Sequence, residues 1–482
     1  MDVLISKKDR QEKGFIVFYV LIFGAVFLVL IGALFGLILM QLRHSAQKVS
    51  WNQSLNIAEA GVEYYRWCLN HGVEAGCSGT KDYLDNNGNS IGKFTIDSDS
   101  AEMCGQVIQR TITSVGWTNN YPSSKRTIRV LYAKDSIAKY SYILNSNVWI
   151  GDDHIINGPY HSNGGIRMDG SNQSLISSAA VRNNAGEWIC TSSFGCNPCP
   201  TGDGCYTSGG NCICPGVFTT TDNPTVSLFK YPTPPFDFNA ITIDLAMIKD
   251  KAQNGGGLYF PKSVDLVPGS KGYHLKFLSN GRVEVWAVRA LQQTNGYSEE
   301  EGWQQDRFTI NNESLYGTYS IPADCSVIYL EDNLWVEGTV KGKVVVASAD
   351  LININVDTSI VLPSNITYST YSGSDGLALI AEKNVLIGPQ SPNNMELHTI
   401  IVAQKGRFGR NHYPNNFRDS LTIYGSIISN GRVGTQWTSG SQIVSGYTNR
   451  YTYYDRNQVY NPPPFIASTS SDFKIVRWQE ID

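Results

Sequence analysis

Charged side chains are scarce in this chain, and neither sign forms a cluster. Lysine, arginine, aspartate and glutamate make up 17% of the 482 residues, with 38 basic against 42 acidic side chains. Such a small charged fraction is unusual for a soluble cytoplasmic protein. Recognition of nucleic acid needs lysine and arginine gathered on one face, so we expect no specific nucleic-acid site.

Motifs of catalysis and cofactor binding are missing as well. The seven histidines are scattered and form no HExxH motif, and no serine lies in a GxSxG turn. No GxxxxGK[ST] phosphate loop occurs. We therefore expect a protein that is not an enzyme and that holds no cofactor or metal.

Two weaker groups of polar residues remain. The acids and arginines that would converge on a polysaccharide-processing groove are Asp350, Asp357, Asp375, Arg407 and Arg410. The residues that would ligate a metal are Asp152, Asp153, His154 and His161. Because aspartate and its polar neighbours are common in solvated turns, we interpret both groups as turn residues.

Residues 15–40 form one long apolar run without a charged side chain. About 20 apolar residues in a helix cross the hydrocarbon core of a bilayer, so this run predicts a membrane-spanning helix. The leader, residues 1–14, carries Lys7, Lys8, Arg10 and Lys13, so we expect it in the cytoplasm and the C-terminal bulk outside. The apolar run is longer than that of a conventional signal peptide.

A helical pattern continues beyond the apolar run. The side chains on its predicted packing face are Leu42, Ala46, Val49, Gln53, Ile57, Ala60 and Tyr64. No proline occurs before Pro122. We therefore predict one helix over residues 15–70, roughly 80 Å long at 1.5 Å per residue. Its second half is amphipathic and is expected to pack on another element.

Two short motifs in this region resemble those of type IV pilins. Lys13 and Gly14, together with Phe15 at the start of the apolar run, are similar to the processing site of prepilins. Residues 58–63, AEAGVE, resemble a run of PilX-type minor pilins. The resemblance implies that a prepilin peptidase cuts after Gly14 and that Phe15 is methylated. It also implies that the helix passes from the inner membrane into a pilus core with other pilin subunits and the assembly machinery.

Tyr19 departs from the pattern of major pilins, which carry glutamate at this fifth position after the cut. In those proteins the glutamate neutralises the terminal amine of a neighbouring subunit. In lacking this glutamate, the chain is similar to the tip pseudopilins of type II secretion. The resemblance therefore implies a specialised, low-copy subunit.

The residues after the helix predict a small antiparallel sheet. Residues 91–97, 106–115 and 126–133 alternate apolar and polar side chains, as strands with one buried face do. These strands would cover the amphipathic half of the helix. We therefore predict a pilin-like sheet domain over residues 71–138.

From residue 139 onward, short apolar bursts alternate with polar turns. This pattern is typical of a right-handed parallel β-helix, in which stacked rungs bury a continuous interior. We predict first rungs at 139–182, an insertion at 183–322, the main β-helix at 323–435 and a C-terminal strap at 436–482 over its open end. The predicted fold class is α+β, mainly β, and a β-sandwich is the competing interpretation.

The predicted insertion contains three recognisable parts. It opens with six cysteines, followed by a helix whose apolar face would be Ile241, Leu245, Ile248 and Ala252. That helix would end at a run of glycines from residue 255. Asn280 and Gly281 predict a hairpin between two short strands.

Ten cysteines favour disulfides in an oxidising compartment outside the cytoplasm. They are Cys68, Cys77, Cys104, Cys190, Cys196, Cys199, Cys205, Cys212, Cys214 and Cys325. Cys68 and Cys77 would close a short loop. The six between 190 and 214 permit 15 pairings, and the sequence does not choose among them. Zinc is the competing interpretation, but the spacing of Cys212 and Cys214 is too short for an ordinary zinc knuckle.

These observations together favour a non-enzymatic minor pilin or pseudopilin. It would insert its helix into the membrane and then a pilus core, and would display a β-helix for assembly, adhesion or DNA uptake. The alternative is a signal-anchored surface β-helix protein that acts on or binds polysaccharide. In either case a surface glycan or a protein is the expected ligand.

Overall fold

The computed structural model describes residues 13–182, 185–222, 225–241, 244–353, 356–440 and 442–481. Residues 1–12 of the predicted leader lie outside the described residues. The chain divides into two compact units. Of the described residues, those within 1–99, 111–131 and 477–482 form the first unit, and those within 100–110 and 132–476 form the second.

The elements follow in chain order. The helices are α1 (Lys13–His71), α2 (Phe238–Ile241), α3 (Leu245–Asn254) and α4 (Ser263–Leu266). The first strands are β1 (Gly79–Leu84), β2 (Ser90–Met103), β3 (Gln106–Thr118), β4 (Arg126–Ala133), β5 (Tyr142–Leu144), β6 (Val148–Ile150), β7 (His154–Asn157), β8 (Tyr160–Ser162), β9 (Ile166–Met168), β10 (Ser171–Asn172) and β11 (Ile176–Ser178). The middle strands are β12 (Glu187–Cys190), β13 (Tyr206–Ser208), β14 (Asn211–Pro215), β15 (Val217–Phe218), β16 (Phe229–Lys230), β17 (Leu258–Phe260), β18 (Tyr273–Leu278), β19 (Arg282–Ser298), β20 (Gly302–Ser320) and β21 (Val327–Leu330). The last strands are β22 (Leu334–Val340), β23 (Lys343–Ser348), β24 (Ile360–Leu362), β25 (Ile366–Tyr368), β26 (Gly376–Ala381), β27 (Val385–Ile387), β28 (Asn394–Ala403), β29 (Phe408–Gly409), β30 (Phe417–Ser429), β31 (Gln436–Ser439), β32 (Gln442–Tyr453) and β33 (Lys474–Ile481).

Helix α1 runs without a break for 59 residues, which confirms the predicted long helix. At 1.5 Å per residue it is about 90 Å long. Its apolar half is exposed, and among the described residues it is the one helix long and apolar enough to cross a membrane. The predicted strands at 91–97, 106–115 and 126–133 are confirmed within β2, β3 and β4. A five-stranded sheet has the order β1, β2, β3, β4, β33.

The face of α1 that packs on this sheet differs from the predicted one. Its buried residues are Ser50, Ser54, Ile57, Ala58, Gly61, Val62, Tyr65, Cys68 and Leu69. Of the predicted stripe only Ile57 is buried, whereas Leu42 and Val49 are 61% and 53% exposed. The helix therefore turns a different side to the sheet from the one that the spacing predicted. Beside the large residues Ile57, Val62, Tyr65 and Leu69, this side carries serine, alanine and glycine, which let the helix lie close to the strands.

Two glycines show how close this contact is. A Cβ on Gly116 of β3 would lie 2.4 Å from the Ala58 nitrogen and 2.5 Å from the Ser54 carbonyl oxygen. A Cβ on Gly61 of α1 would lie 2.3 Å from the Ser114 Oγ and 2.9 Å from the Phe94 ring. The small residues of the AEAGVE run therefore have a packing role in this unit.

The second unit is built from three columns of parallel strands. The first column is β17, β21, β23, β26, β28, β30, β5, β8, β11 and β16. The second consists of β18, β22, β24, β27 and β29, with β6, β9 and β15 forming a separate run. The third is β22, β25, β28, β30, β32, β7 and β10. Long strands such as β28 and β30 belong to two columns.

Antiparallel pairs interrupt these columns, so the sheets are mixed. Strand β18 pairs with β19 across the predicted turn at Asn280 and Gly281, and β19 pairs with β20 as a long ribbon. Further antiparallel pairs are β31 with β32, and β14 with both β12 and β13. A long N-terminal helix followed by mainly β structure is thus confirmed, and the parallel β-helix stays a prediction.

The order of stacking differs from the predicted domain scheme. Strand β5 pairs with β30 rather than with β21, so the early strands of this unit continue the stack beyond its latest ones. Strands β15 to β18 pair with the columns although they lie inside the predicted insertion at 183–322. Strands β15 to β17 have only two or three residues and are too short to show a period. The hairpin pattern that predicted β18 does not record that this strand pairs with β22.

Central strands of the first column are buried on both sides. Every residue of β23 and β26 is buried, which explains their continuous apolar runs. Val344 and Val346 belong to the large inner core, whereas Val345 and Ala347 belong to a second core. Helix α3 covers that second core through Leu245, Ile248 and Ala252, three residues of the predicted helix face. The side chain of Ile241 lies outside the described residues.

The C-terminal segment also covers the second core. Phe465 and Ile466 pack there, and the Ile137 amide donates to the Ala467 carbonyl at 2.9 Å. The predicted strap over the open end is therefore wrong for residues 436–482. Part of that segment, β32, is a strand of the third column, and β33 belongs to the five-stranded sheet.

We expect Gly116→Ala to destabilise the first unit, because the new Cβ would meet backbone atoms of α1 that no rotamer change can move. Overpacking of this kind costs about 1–3 kcal/mol. Hydrogen–deuterium exchange of the α1 amides at 50–69 should accelerate in the detergent-solubilised chain. Gly202→Ala is the control, since its Cβ would meet nothing within 4 Å. Unchanged protection in Gly116→Ala would contradict the close contact.

Candidate functional site

The exposed apolar half of α1 is the first candidate interaction surface. Phe15, Val20, Leu28 and Phe35 are all about 60–70% exposed, and Tyr19 is 54% exposed. Gly14 lies within α1, although its surroundings are outside the described residues. An exposed apolar surface of this extent in water is unfavourable, so it requires lipid or other apolar helices around it.

All ten cysteines lie in disulfides, and no described cysteine is free. The pairs are Cys68–Cys77, Cys104–Cys325, Cys190–Cys196, Cys199–Cys212 and Cys205–Cys214. In the described part of the chain, the only groups with metal-ligand spacing are cysteine triplets from the last three pairs. Because their sulfurs are bonded in pairs, they are not available as thiolate ligands.

The second surface is an open cavity of about 520 Å³ in the second unit, which we call the cleft. Strand β6 contributes Trp149, and the turn after it contributes Asp152 and Asp153. Residues 432–434, 436–438 and Arg450 contribute most of the remaining wall. Ser193 of the cysteine-rich segment also lines it. A smaller cavity lined by Glu299, Glu300 and Arg407 shares four lining residues with the cleft and extends it. The combined size suits a small-molecule or oligosaccharide site.

Both tryptophans of the cleft are held in place by hydrogen bonds of their indole N–H groups. Trp149 donates to the Asp169 carboxylate at 2.8 Å, and the Arg167 guanidinium lies 4.4 Å from its ring centre. Trp437 donates to the Arg410 carbonyl at 2.9 Å. Since both N–H groups have partners within the protein, the rings present apolar surface to the cleft in a fixed orientation.

A row of aromatic rings continues from Trp437 out of the cleft. Tyr297 meets Trp437 edge-on at 5.6 Å between ring centres, and Trp303 lies 5.5 Å from Tyr297. The ring centre of His412 lies 5.6 Å from that of Trp303 and 5.9 Å from that of Trp437. Trp303 is 60% exposed, which is unusual for the largest apolar side chain.

The arginines around the cleft are each paired with a carboxylate. Arg450 contacts both oxygens of Asp153, which also accepts from the Gln436 amide. Arg432 lies 2.7 Å from Glu299, and Arg407 lies 3.0 Å from Glu300.

Arg432 also joins the cysteine-rich segment to this wall. It donates to the Ser193 carbonyl at 3.0 Å, and its guanidinium lies 4.6 Å from the Phe194 ring centre. Arg432 therefore connects Glu299 of the ribbon tip to Ser193, which lies in the loop closed by the Cys190–Cys196 disulfide.

The tip of the β19–β20 ribbon carries three successive glutamates, each paired with a base. Glu299 and Glu300 contact Arg432 and Arg407, and Glu301 lies 2.8 Å from the Lys383 ammonium. Lys383 holds the pKa of the Glu301 carboxyl below its ordinary value. These half-exposed pairs position the tip and contribute little stability individually.

A buried polar network anchors the same ribbon more strongly. The Asp306 carboxylate of β20 accepts from the Asn411 amide at 2.8 Å and from the Tyr413 hydroxyl at 2.9 Å. Burial raises the pKa of Asp306. Arg410 is fully buried beside the Tyr413 ring, and burial lowers the pKa of Arg410 to about 10.

The acids and arginines of the hypothetical polysaccharide-processing groove have separate partners. Asp350 pairs with Lys262 at 2.8 Å, and Asp357 pairs with Lys405 at 2.5 Å. Asp375 accepts from backbone amides of a turn, at 2.8 Å from Gly342 and 2.7 Å from Thr370. Within the described ranges, no hydrogen bond or ion pair joins any two of the five candidates, Asp350, Asp357, Asp375, Arg407 and Arg410.

The four hypothetical metal ligands do not form a common site either. Only Asp152 is exposed, and Asp153 is bound to Arg450. His154 contacts the Thr452 hydroxyl, and His161 contacts the Ser177 hydroxyl. Burial lowers the pKa of both histidines. The interpretation as solvated turn residues is therefore wrong for the two histidines.

The sequence reasoning missed the cleft because its parts are far apart in the chain. Trp149, Glu299 and Trp437 come together only through the stacking of early strands on late ones. The signals available were local: tryptophans a few residues from glycines, and three successive glutamates between two alternating segments.

Comparison with known proteins gives weak structural similarity. No family model matches the chain, and no curated protein matches it. A crystal structure of the competence-associated pilin ComZ from Thermus thermophilus is similar over 90% of this chain and 97% of that chain, with 12% sequence identity and a TM-score of 0.34. A similarity of this size does not identify a family.

We expect the combined change Glu299→Lys, Glu300→Lys and Glu301→Lys to loosen the ribbon tip by like-charge repulsion. Hydrogen exchange at residues 296–305 should accelerate, with little change in overall stability because the Asp306 network is intact. Asp419→Lys, at an exposed carboxylate on a different strand, should leave exchange at the tip unchanged. An unaltered tip in the triple variant would contradict the role of these pairs.

We expect the double change Cys104→Ala and Cys325→Ala to lower stability more than Cys68→Ala with Cys77→Ala. The first disulfide closes a separation of 221 residues and the second only 9. In the chain-entropy description, the loss is about 5 kcal/mol for the long loop and about half of that for the short one. Denaturant midpoints of the two variants provide the measurement. The reverse order would show that loop closure is not the main contribution.

Proposed function

We propose that this chain is a pilin-type subunit whose helix α1 first spans the membrane and then enters the core of a fibre. The observation that carries the proposal is the division of one unbroken helix into two halves. Residues 15–40 are apolar and exposed, and residues 50–69 pack on a sheet of the same unit. A simple anchor needs only about 20 residues and no rigid continuation into a folded domain.

The residues at the start of α1 support processing after Gly14. Gly14 stands directly before the apolar surface, Phe15 is the first residue of that surface, and together they resemble a prepilin cleavage site. The closely packed AEAGVE run supports the same assignment, because its small residues allow the helix to approach β3. Tyr19, in place of the glutamate of major pilins, supports a low-copy subunit.

We further propose that the three strand columns form a right-handed parallel β-helix. The support is the set of parallel registers and the burial of strands such as β23 and β26 on both sides. The antiparallel ribbon and the cysteine-rich hairpin would be attachments to that stack. This body would be carried outside the cell, where five disulfides are stable, and would serve assembly, adhesion or DNA uptake.

We also propose that the chain is not an enzyme. The five acids and arginines of the hypothetical groove are occupied by turn-capping bonds and local ion pairs, which support structural roles. A surface protein that remains anchored by α1 and never enters a fibre is the alternative. It would bind or act on polysaccharide.

The test of processing is the mature N-terminus. We expect the chain isolated from its membrane to begin at Phe15 and to carry one additional methyl group, as measured by intact mass and peptide sequencing. Gly14→Val should retain the leader, whereas Gly24→Val within the same helix should not affect the cut. A mature protein that begins at Met1 would contradict processing.

Crosslinking separates fibre entry from permanent anchoring. A photo-reactive residue placed at Phe23, which is 70% exposed on the apolar half, should form adducts with other pilin subunits in sheared fibres. The anchored alternative predicts adducts in the membrane fraction only. Turnover of a polysaccharide by the purified chain, abolished by Arg407→Ala or Asp375→Ala, would contradict the non-enzymatic proposal.

A further inference from the structure

We propose that the cleft of the second unit is a binding site for a neutral oligosaccharide built of pyranose rings. The inference stands on Trp149, Trp437, Asp152 and the paired arginines around them, together with a cavity of about 520 Å³. It is independent of the processing of α1. It concerns the ligand of the second unit.

The two tryptophans supply the stacking surfaces. A pyranose ring presents C–H groups with partial positive charge on its faces, and an indole face carries partial negative charge. Such stacking needs a ring whose orientation is fixed before binding. The Trp149 and Trp437 indoles meet this need because Asp169 and the Arg410 carbonyl hold their N–H groups.

The polar groups that line the cleft with the tryptophans suit hydroxyl groups. Asp153, Gln436 and Arg450 form a connected array of planar donors and acceptors on the cleft wall. Asp152 is an exposed carboxylate on the same turn, available to accept hydrogen bonds from the ligand. Pairs of adjacent sugar hydroxyls can bridge such planar groups with two hydrogen bonds at once.

The charge of the cleft favours a neutral ligand. Its carboxylates are Asp152, Asp153, Glu299 and Glu300, and its bases are Arg407, Arg432 and Arg450. Four negative charges face three positive ones, so the lining carries one net negative charge. Each arginine is already paired with a carboxylate, which leaves no unpaired cation for a phosphate or sulfate group. A polyanion such as DNA is therefore disfavoured at this site.

The rim extends the site beyond one sugar unit. Tyr297 and His412 connect Trp437 to Trp303, which is 60% exposed near the ribbon tip. Successive pyranose units would contact successive rings along this row. The Cys190–Cys196 disulfide flanks Ser193, and ion pairs hold the ribbon tip in place. Because these contacts already order the lining, binding costs little conformational entropy.

Gly434 offers a way to block the cleft without disturbing the fold. It lines both parts of the cleft, and a Cβ built on it would meet nothing within 4 Å. Gly434→Leu would therefore fill the cavity. Gly202→Leu is the matched control, since Gly202 is equally open and does not line the cleft.

The experiment uses the detergent-solubilised full chain and calorimetric titration. The probes are neutral oligomers of glucose, mannose, galactose and N-acetylglucosamine, with a sulfated oligosaccharide and a DNA duplex as polyanion arms. We expect millimolar or tighter binding of at least one neutral oligomer and none of the polyanions. Trp437→Ala and Gly434→Leu should each weaken binding about tenfold or more. Trp478→Ala, an exposed tryptophan of β33, and Gly202→Leu should bind like the unaltered chain.

Three outcomes would overturn the inference. They are no binding of any neutral oligomer, neutral binding that Gly434→Leu leaves unchanged, and polyanion binding that Gly434→Leu abolishes. Near-ultraviolet circular dichroism of each variant shows whether it is folded. If Trp437→Ala does not fold, the titration of Gly434→Leu tests the inference. The mature N-terminus is measured separately, so failure of sugar binding and failure of processing give different results.

Discussion

The second unit depends on hydrogen bonds between short strands that have no partner nearby in sequence. A strand of three to six residues satisfies its backbone groups only when another strand lies on each side. The Val345 amide, for example, donates to the Ser326 carbonyl at 2.9 Å, and β23 then pairs with β26 on its other edge. The inner and outer cores add apolar burial on both sides of the same strands. Removing one strand would expose the edges of two others.

This constraint also explains how the cleft is formed. Because β5 continues the column after β30, turns from the early and the late parts of the unit are brought side by side. Trp149 lies in β6, in the early part of the unit, and Trp437 lies in β31, in the late part. The ribbon and the cysteine-rich segment then supply walls that are fixed by Arg407, Arg432 and three disulfides. A rigid cleft of this kind is consistent with a binding site and does not require a moving lid.

The first unit follows a different principle, that of close helix–sheet contact. Large apolar residues predicted on the packing face, such as Leu42 and Val49, are exposed, while Ser54, Ala58 and Gly61 are buried. Large residues such as Ile57, Val62 and Tyr65 are buried in the same contact, so apolar burial and close backbone approach both contribute to it. The glycines at 61 and 116 show how close the helix and the strands lie.

The sequence alone determined the long helix, its apolar half, the strands β2 to β4, helix α3 and the turn at Gly281, because each depends on a local period or a local turn residue. It also indicated disulfides, through the number of cysteines and the membrane helix. Only the tertiary structure decided the cysteine pairs, the order of the columns, the position of the C-terminal segment and the cleft. These features depend on contacts between residues that lie up to hundreds of positions apart, and no local pattern records which distant strands share an edge.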